Sequence, residues 1–318
     1  MTASTTRPHA AIGTGPATLF VVAGAMLWGT TGTARALADV DADPAAVGAV
    51  RLAVGAACLL AVTRWKGWLP GPPGVGWPRS AVIGAGVAQA VYGPAFFAGV
   101  ERAGVAIGTV VGIGSAPVLG GLLGWIWRRE RPDRRWYVAT ALALIGIAVL
   151  ASGAGGDDVD LVGLAMAATA GGAYAVFVAC SKDLLDHHHP AAVMAVTFSL
   201  AAVLLLPAAL LGGGSLLSLR GTALALHLGV VTVGLAYLLF ARGLSGLGVG
   251  TTATLTLAEP ATAATLGILV LGERLTLPAA GGVALIAAGL AVLALGGLRR
   301  TTPTPDEPSR NIGHSGDL

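Results

Sequence analysis

Charged residues are scarce in this chain: they occupy only 11% of its 318 positions, whereas a soluble domain carries about 25%. So few charges cannot cover a surface that faces water, which excludes an ordinary soluble protein. Aromatic residues are also few, at 5%, while hydrophobic residues reach 55% and glycine occurs 48 times. Because small residues let membrane helices pack closely, the composition indicates an integral membrane protein whose solvent is the lipid bilayer.

Several function classes lack their sequence signals. The chain has no Gly-Lys-Ser/Thr phosphate-binding loop and no soluble segment large enough to hydrolyse ATP. Its basic residues are scattered through short loops, so the net charge of +3 does not indicate nucleic-acid binding. The two cysteines, Cys58 and Cys180, match no metal or redox spacing. We therefore expect no cofactor, no metal and no nucleic-acid partner.

Apolar runs close to the spanning length of about 20 residues recur from end to end, without the alternation of barrel strands. Since every backbone amide in lipid needs a partner, each run predicts a helix. The runs are 17–38, 44–63, 79–100, 104–127, 136–152, 160–181, 190–211, 221–241, 248–272 and 278–297. The fold class predicted is an all-α integral membrane protein with ten transmembrane helices. The polar segments 1–16 and 298–318 predict disordered cytoplasmic termini.

The positive charges predict the orientation. If the N-terminus is cytoplasmic, every strongly basic loop falls on the cytoplasmic side, as the positive-inside rule requires. These loops hold Arg64, Lys66, Arg79, Arg128, Arg129, Arg131, Arg134, Arg135, Lys182, Arg242, Arg299 and Arg300. Arginine far outnumbers lysine, which is typical of a GC-rich bacterial genome. We therefore expect a multi-pass protein of a bacterial plasma membrane with both termini in the cytoplasm.

An internal repeat divides the chain into two halves. Pro117 matches Pro260, and Glu130-Arg131 matches Glu273-Arg274, each pair being separated by 143 residues. The repeat predicts one five-helix unit at 17–152, a linker at 153–159 and a second unit at 160–297. Because five is an odd number, the second unit must be inverted relative to the first. Inverted repeats are a recurrent design of secondary transporters.

Short motifs in both halves resemble those of a known family. Leu27-Trp28-Gly29-Thr30, Arg51 and Pro117 in the first half, and Glu259-Pro260 and Leu271-Gly272-Glu273-Arg274 in the second, resemble proteins with two EamA-type domains in the drug/metabolite transporter superfamily. Thr197 stands where a second-half counterpart of Arg51 would lie. The resemblance implies a central cavity lined by helices one, three, four, six, eight and nine. It also implies export or exchange of metabolites, amino acids or drug-like compounds.

Glu259 is the main candidate for the substrate or proton pathway. It lies about eleven residues into the ninth helix, near mid-membrane at a rise of about 1.5 Å per residue, where ionisable residues are costly. Pro260 removes a helical hydrogen bond and predicts a kink, as Pro117 does in the fourth helix. In one interpretation Glu259 binds substrate and exchanges a proton. In the other it stabilises the kink or bonds a neighbouring helix, and the sequence leaves both open.

Other polar residues divide into a pathway group and a structural group. The pathway candidates are Gln89, Tyr92, Trp28, Tyr174, His227 and Tyr237. We interpret Arg51 as structural, bonding loop carbonyls or reaching the outer interface; the alternative is a pair with Glu259 or a substrate carboxylate. Local ion pairs or helix caps are the expectation for Glu130, Arg131, Glu273 and Arg274. His187-His188-His189 predicts a solvated loop rather than a metal site.

These observations predict a secondary transporter rather than an enzyme. The expected activity is export of small metabolites such as amino acids or amphiphilic drug-like compounds by alternating access, and the specific form of coupling considered is a proton carried by Glu259. The expected partners are the lipid bilayer, a small-molecule substrate and protons, and the sequence leaves the oligomeric state open. One alternative, an intramembrane enzyme, would need a catalytic constellation at membrane depth. His227 is the only histidine in a predicted span, and the only aspartate in one is Asp160, the first residue of its run. A membrane scaffold that transports nothing is the other alternative.

Overall fold

The structure, a computed structural model, describes residues 12–71, 74–152, 160–212, 214–272, 274 and 276–298. These residues form helices and connecting loops, and no strand occurs among them. The predicted linker 153–159, Glu273 and most of the two predicted termini lie outside the described residues. The all-helical class predicted from the apolar runs is confirmed for the described part of the chain.

The first half contains five helices, each matching one predicted run. They are α1 (Thr14–Ala38), α2 (Pro44–Trp65), α3 (Arg79–Ala103), α4 (Val105–Arg128) and α5 (Arg134–Ala151). The Asp43 side chain accepts a hydrogen bond from the Ala46 backbone nitrogen at 2.9 Å and so caps α2, and Asp133 caps α5 in the same way. Helix α1 begins three residues before the predicted boundary, so the prediction of disorder is wrong for residues 14–16. Pro16 lies in the first turn, where a helix tolerates proline.

The second half contains more helices than predicted, because three of the predicted runs are interrupted. Its elements are α6 (Leu161–Leu185), α7 (Pro190–Leu204), α8 (Leu206–Gly212), α9 (Leu219–Leu226), the π-helix His227–Leu235, α10 (Ala236–Ser245), α11 (Val249–Leu255), α12 (Ala258–Leu271) and α13 (Leu277–Leu298). Helices α7 and α8 meet at an angle of 56°. Pro207 explains this bend, because it cannot donate to the Val203 carbonyl and its ring clashes with that group.

Seven helices of the described part are long and apolar enough to cross a membrane. They are Thr14–Ala38, Ala45–Trp65, Arg79–Ala103, Gly108–Arg128, Leu161–Leu185, Leu219–Ser245 and Val249–Leu271. The bent pair of α7 and α8 makes an eighth if it is one span, and Ala280–Leu295 is a shorter apolar helix. The protein is thus a multi-pass helical membrane protein, and the layout of ten helices in two inverted units stays a prediction.

The helices of the two halves interleave. Helix α1 packs along α10 and α12, α2 packs on α7, α3 on α6, and α5 on α13. The largest core cluster lies where these helices meet and contains the buried side chains of Phe177, Phe198 and Phe240. This interleaving brings residues from the two sequence halves into one central region.

The bundle has two ends of different character. At one, which we call the Arg128 end, Arg128 contacts Asp183 and Asp186 at the C-terminal end of α6. Gly71 lies beside His188 at the same end. At the other, the Asp160 end, Arg102 donates to Asp160 at 2.8 Å. The predicted cytoplasmic loops gather at the Arg128 end.

Candidate functional site

Glu259 is positioned by a break between α11 and α12. Pro260 cannot donate to the Thr256 carbonyl, so the helix is interrupted at Thr256 and Leu257. The Glu259 backbone nitrogen instead donates to the Thr256 carbonyl at 3.0 Å. At Pro260, where the sequence predicts a kink, the structure therefore has a two-residue interruption within the apolar span Val249–Leu271. The Glu259 carboxylate makes no ion pair or hydrogen bond with the described residues.

A glycine lets α1 approach this break. A Cβ atom at Gly29 would lie 2.8 Å from the Glu259 carbonyl oxygen and 2.7 Å from the Thr262 Cβ. Real Cβ atoms do not make such contacts with backbone, so only glycine fits here. The Trp-Gly pair of the first helix thus has a structural role: Gly29 permits the close contact of α1 with α12, and Trp28 lies beside it.

Arg51 lies among the pathway residues rather than apart from them. It interacts electrostatically with Glu259, although the two form no salt bridge in the described structure. It also borders a cavity of about 30 Å³ together with Gln89 and Tyr92. A cavity of this size holds about one or two water molecules. This placement brings Arg51 near Glu259 without a pair between them, so both interpretations of Arg51, structural and pairing with Glu259 or a substrate carboxylate, stay predictions.

Three tyrosines surround the two charges. The hydroxyls of Tyr92, Tyr174 and Tyr237 all interact electrostatically with Glu259, and those of Tyr92 and Tyr237 also interact with Arg51. The Tyr92 and Tyr174 rings lie 5.6 Å apart. We call Glu259, Arg51, Gln89, Tyr92, Tyr174 and Tyr237 the central cluster, which is drawn from five helices of both halves.

Aromatic rings form one wall of the central cluster. The Trp28 ring lies 4.5 Å from that of Tyr237 and 5.5 Å from that of Phe240. Phe177 contacts Tyr237 edge to face at 5.8 Å. These contacts fix the orientation of the tyrosine side chains, since aromatic pairs at such distances have preferred geometries.

Several polar atoms of this region are buried without a hydrogen-bond partner in the described residues. They include Trp28 Nε1, Gln89 Oε1 and the Tyr174 hydroxyl. Most buried polar groups in proteins are paired, so an unpaired group marks a place for water, an ion or a ligand. The central cluster therefore offers both donors and acceptors to a small polar molecule.

Thr256 is a site residue that the sequence analysis missed. Its side chain lies beside the Tyr174 hydroxyl, and its carbonyl accepts from Glu259. Serine and threonine are common in membrane helices, and nothing in the spacing of the chain distinguishes Thr256. The signal that could have found it is Pro260, because a proline frees the carbonyl four residues before it.

His227 does not join the central cluster. It begins the π-helix, and its Nε2 atom lies 3.1 Å from the Thr30 hydroxyl on α1. Among the described contacts it stacks on no ring and interacts with none of the tyrosines. Pro117, the other predicted kink, lies inside α4, which continues through it without a break.

Glu130 pairs with residues other than its neighbour Arg131. Its carboxylate accepts from Arg128 Nε at 3.1 Å and from the Val249 backbone nitrogen, at the start of α11, at 2.8 Å. Glu130 therefore caps a helix, which is one of the two roles expected for it. The helix that it caps is α11, which belongs to the other half of the chain. Arg131 and Arg274 are exposed and form no ion pair in the described part of the chain.

The prediction of a solvated loop at His187-His188-His189 is wrong for His188. That side chain is buried and packs against Trp77 at 3.9 Å between ring centres, with the two rings tilted by 31°. His189 stacks on Trp68 at the same distance. Both tryptophans belong to the connection between α2 and α3, which covers the histidines. No group of three metal-binding side chains occurs within the residues that the structure describes.

Comparison with known proteins identifies relatives over nearly the whole chain. The sequence model of the EamA-like transporter family matches residues 15–152 and 161–295. The uncharacterized transporter YwfM of Bacillus subtilis is 41% identical over 278 residues, which are 86% of this chain and 92% of that protein. The threonine/homoserine exporter RhtA of Escherichia coli K12 is 29% identical over 265 residues, 82% of this chain and 85% of that protein.

A solved crystal structure has the same fold. It superposes with a TM-score of 0.74 at 20% sequence identity, and the match covers 90% of this chain and 99% of the other. This superposition shows the fold alone. The family model and the two relatives, together with the apolar helices, agree with a membrane-embedded transporter.

Proposed function

The chain belongs to the EamA-like transporter family, and we propose that it is a secondary exporter of small zwitterionic amino acids. In this proposal ten helices form two inverted five-helix units, and the Arg128 end and both termini face the cytoplasm. The central cluster is the substrate site, and it opens in turn to each side of the membrane. This arrangement follows the general design in which inverted repeats exchange conformations around one site near the midplane.

The observation that carries the proposal is the pair of opposite charges in the central cluster. Glu259 and Arg51 both interact with Tyr92 and Tyr237, yet no salt bridge joins them in the described structure. Charges at membrane depth are costly unless they are paired. An amino acid supplies the missing partners: its ammonium binds Glu259 and its carboxylate binds Arg51.

The remaining polar atoms suit a small substrate side chain. Gln89 Oε1 and the Tyr174 hydroxyl, both buried and unpaired in the described residues, can accept from or donate to a side-chain hydroxyl. The relative RhtA is an exporter of threonine and homoserine, two hydroxylated amino acids. We therefore place hydroxylated amino acids first among the substrates to be tested.

Glu259 also provides a route for coupling to protons. A protonated carboxyl no longer attracts the substrate ammonium, so a proton arriving from outside displaces the substrate there. The proton leaves on the cytoplasmic side, where substrate binds again. The result is an exchange of one proton against one zwitterion through a shared residue.

The test is counterflow of radiolabelled threonine in proteoliposomes, with and without a pH gradient, for wild type, Glu259→Gln and Arg51→Gln. We expect saturable exchange in wild type that threonine and homoserine inhibit. N-acetylthreonine, which lacks the ammonium, and threonine amide, which lacks the carboxylate, should not inhibit. Glu259→Gln should abolish the response to the gradient, and Arg51→Gln should make threonine amide and threonine equal competitors.

Arg274→Gln is the matched control, because Arg274 is exposed and lies outside the central cluster; it should behave as wild type. Equal inhibition of the wild type by threonine, N-acetylthreonine and threonine amide would contradict the zwitterion site. If the protein exchanged amphiphilic cations but not threonine, the aromatic wall of Trp28 and Tyr237 would be assigned to drug-like substrates instead. Absence of transport for every compound would favour the scaffold.

A further inference from the structure

A cavity of about 340 Å³ lies at the Arg128 end, outside the central cluster. The start of α1, the end of α4, the start of α5 and the start of α11 enclose it. Its wall carries the charged side chains of Glu130, Arg131, Asp133 and Arg135. None of these belongs to the site proposed for transport, so the cavity needs a separate explanation.

The two arginines of the cavity wall lack ion partners in the described structure, whereas the two acidic side chains have hydrogen-bond partners. The two acidic side chains already have partners, because Glu130 binds Arg128 and the Val249 backbone nitrogen, and Asp133 caps α5. The two arginines do not: neither Arg131 nor Arg135 makes an ion pair with the described residues. Two guanidinium groups without an ion pair, beside carboxylates whose oxygens already accept hydrogen bonds, can bind an anion, and arginine is well suited to bind phosphate.

An apolar groove continues from this cavity along the outside of the bundle. The groove has a volume of about 430 Å³ and is lined by Val118, Leu122, Trp125 and Tyr137. These side chains belong to α4 and α5 and are exposed, Trp125 by 54% and Tyr137 by 58%. In a membrane protein such a surface faces lipid, and Trp and Tyr are enriched where it meets the headgroups.

Trp136 joins the cavity to the groove. Its ring packs against Gly121, and it lines both spaces, as do Arg131 and Pro132. The side chain is 7% exposed, and its indole nitrogen is buried without an acceptor in the described residues. An indole N–H can only donate, so the unpaired group at this junction also favours an anionic oxygen.

We propose that an anionic glycerophospholipid occupies this site. Its phosphate binds Arg131 and Arg135 and accepts a hydrogen bond from the indole of Trp136, while an acyl chain lies in the groove between α4 and α5. Basic pockets between membrane helices are typical binding sites for anionic headgroups. A soluble phosphate compound would leave the groove empty, so the continuity of charged cavity and apolar groove favours a lipid.

The test is native mass spectrometry of the full chain in mild detergent, titrated with phosphatidylglycerol or with phosphatidylcholine of identical acyl chains. The variants are the double substitution Arg131→Gln with Arg135→Gln, and its matched control Arg129→Gln with Arg134→Gln. The control removes the same charge from neighbouring arginines that do not line the cavity. Thermal unfolding without added lipid checks that both variants fold as the wild type does.

We expect wild type to bind phosphatidylglycerol about tenfold more tightly than phosphatidylcholine. Both lipids carry the phosphate, but the choline ammonium of phosphatidylcholine repels the two guanidinium groups and the glycerol headgroup does not. The preference should disappear in the Arg131 and Arg135 variant and persist in the control. Trp136→Phe should weaken the binding of both lipids, because each carries the phosphate oxygen that accepts from the indole, and should leave the preference for phosphatidylglycerol in place. Equal binding of both lipids by wild type, or equal loss in both double variants, would overturn the proposal. Equally tight binding of sn-glycerol 3-phosphate would do so too, because it would show that the groove contributes nothing.

Discussion

The carboxylate of Glu130 accepts a hydrogen bond from the backbone nitrogen of Val249, 2.8 Å away and 119 positions later in the chain. Glu130 follows α4 in the first half, and Val249 begins α11 in the second. Arg128 binds the same carboxylate and also contacts Asp183 and Asp186. One network therefore joins α4, α6 and α11 at the Arg128 end, and any motion that separates these three helices has to break it.

Replacing Glu130 should loosen this end of the bundle. Glu130→Ala removes the acceptor for the start of α11, and the loss of a cap costs about 0.5–2 kcal/mol of stability. Glu130→Gln keeps the acceptor but loses the charge that pairs with Arg128, so its stability should lie between that of wild type and Ala. Thermal unfolding of the detergent-purified protein measures both.

Glu101→Ala is the control for this substitution, because Glu101 is an exposed residue of α3 without an ion pair in the described structure. It should unfold at the wild-type temperature. An unfolding temperature of Glu130→Ala equal to that of Glu101→Ala would show that the bond to Val249 contributes nothing to stability.

Gly29→Ala should separate α1 from α12. The added methyl group would meet the Glu259 carbonyl oxygen at 2.8 Å and the Thr262 Cβ at 2.7 Å. Overpacking of this kind costs about 1–3 kcal/mol, and it would displace the backbone that holds Glu259. We expect a lower unfolding temperature and slower threonine counterflow.

Gly32→Ala, one turn further along α1, tests whether the effect is local. A Cβ atom at Gly32 meets nothing within 4 Å, so this variant should be as stable as wild type or slightly more stable. If Gly29→Ala and Gly32→Ala lowered the unfolding temperature by similar amounts, glycine would be required throughout α1 and not only at its contact with α12.

Lys182 should be needed to hold the end of α10. It is 8% exposed, and its ammonium group donates to the carbonyl oxygens of Leu244 at 2.9 Å and Leu247 at 2.5 Å. Lys182→Met fills similar space but leaves both carbonyls without that donor, which costs about 1–3 kcal/mol. The measurement is again the unfolding temperature.

The other lysine of the chain, Lys66, serves as the comparison. Lys66 is exposed beside the Trp65 ring, its ammonium 4.4 Å from the ring centre, and Lys66→Met should change stability by less than about 1 kcal/mol. Equal stability of the two variants would contradict the role of Lys182 as a helix cap.

Acidification should weaken the packing of the His188 ring against Trp77. Burial lowers the pKa of His188 below its ordinary value of 6.5, and the charge of His187 acts in the same direction, while the bond with the Leu184 carbonyl opposes them. The unfolded chain therefore binds a proton more readily than the folded one. The stabilisation is complete above pH 6.5 and decreases as the pH falls towards and below the pKa of the folded state.

The check is the unfolding temperature measured from about pH 7.5 to about pH 5.5, across the ordinary histidine pKa. His188→Phe keeps a ring against Trp77 and cannot titrate, so its unfolding temperature should fall less with acidification than that of wild type. His187→Phe, at an exposed position, should retain most of the wild-type decrease. A decrease that is unchanged in His188→Phe would assign the pH dependence to other groups.

Part of the candidate site was predictable from the chain alone. Glu259 followed by Pro260 indicates a carboxylate next to an interrupted helix, because proline cannot bond the carbonyl four residues earlier whatever surrounds it. The tyrosines and Gln89 were predicted as lining residues, and the structure brings them together around Glu259. The position of His227 beside Thr30 was not predicted, because it depends on how the π-helix packs against α1.

The sequence by itself determined the solvent, the helical class and the family of this protein. Composition, run length and short motifs depend only on which residues follow one another, and a bilayer imposes one length on every helix that crosses it. The tertiary structure alone decided which distant residues meet. Arg51 near Glu259, Trp77 on His188 and Glu130 on Val249 each join segments that are remote in the chain. Such contacts arise from the interleaving of two halves, which hydropathy does not encode, because the same apolar runs can pack in many arrangements.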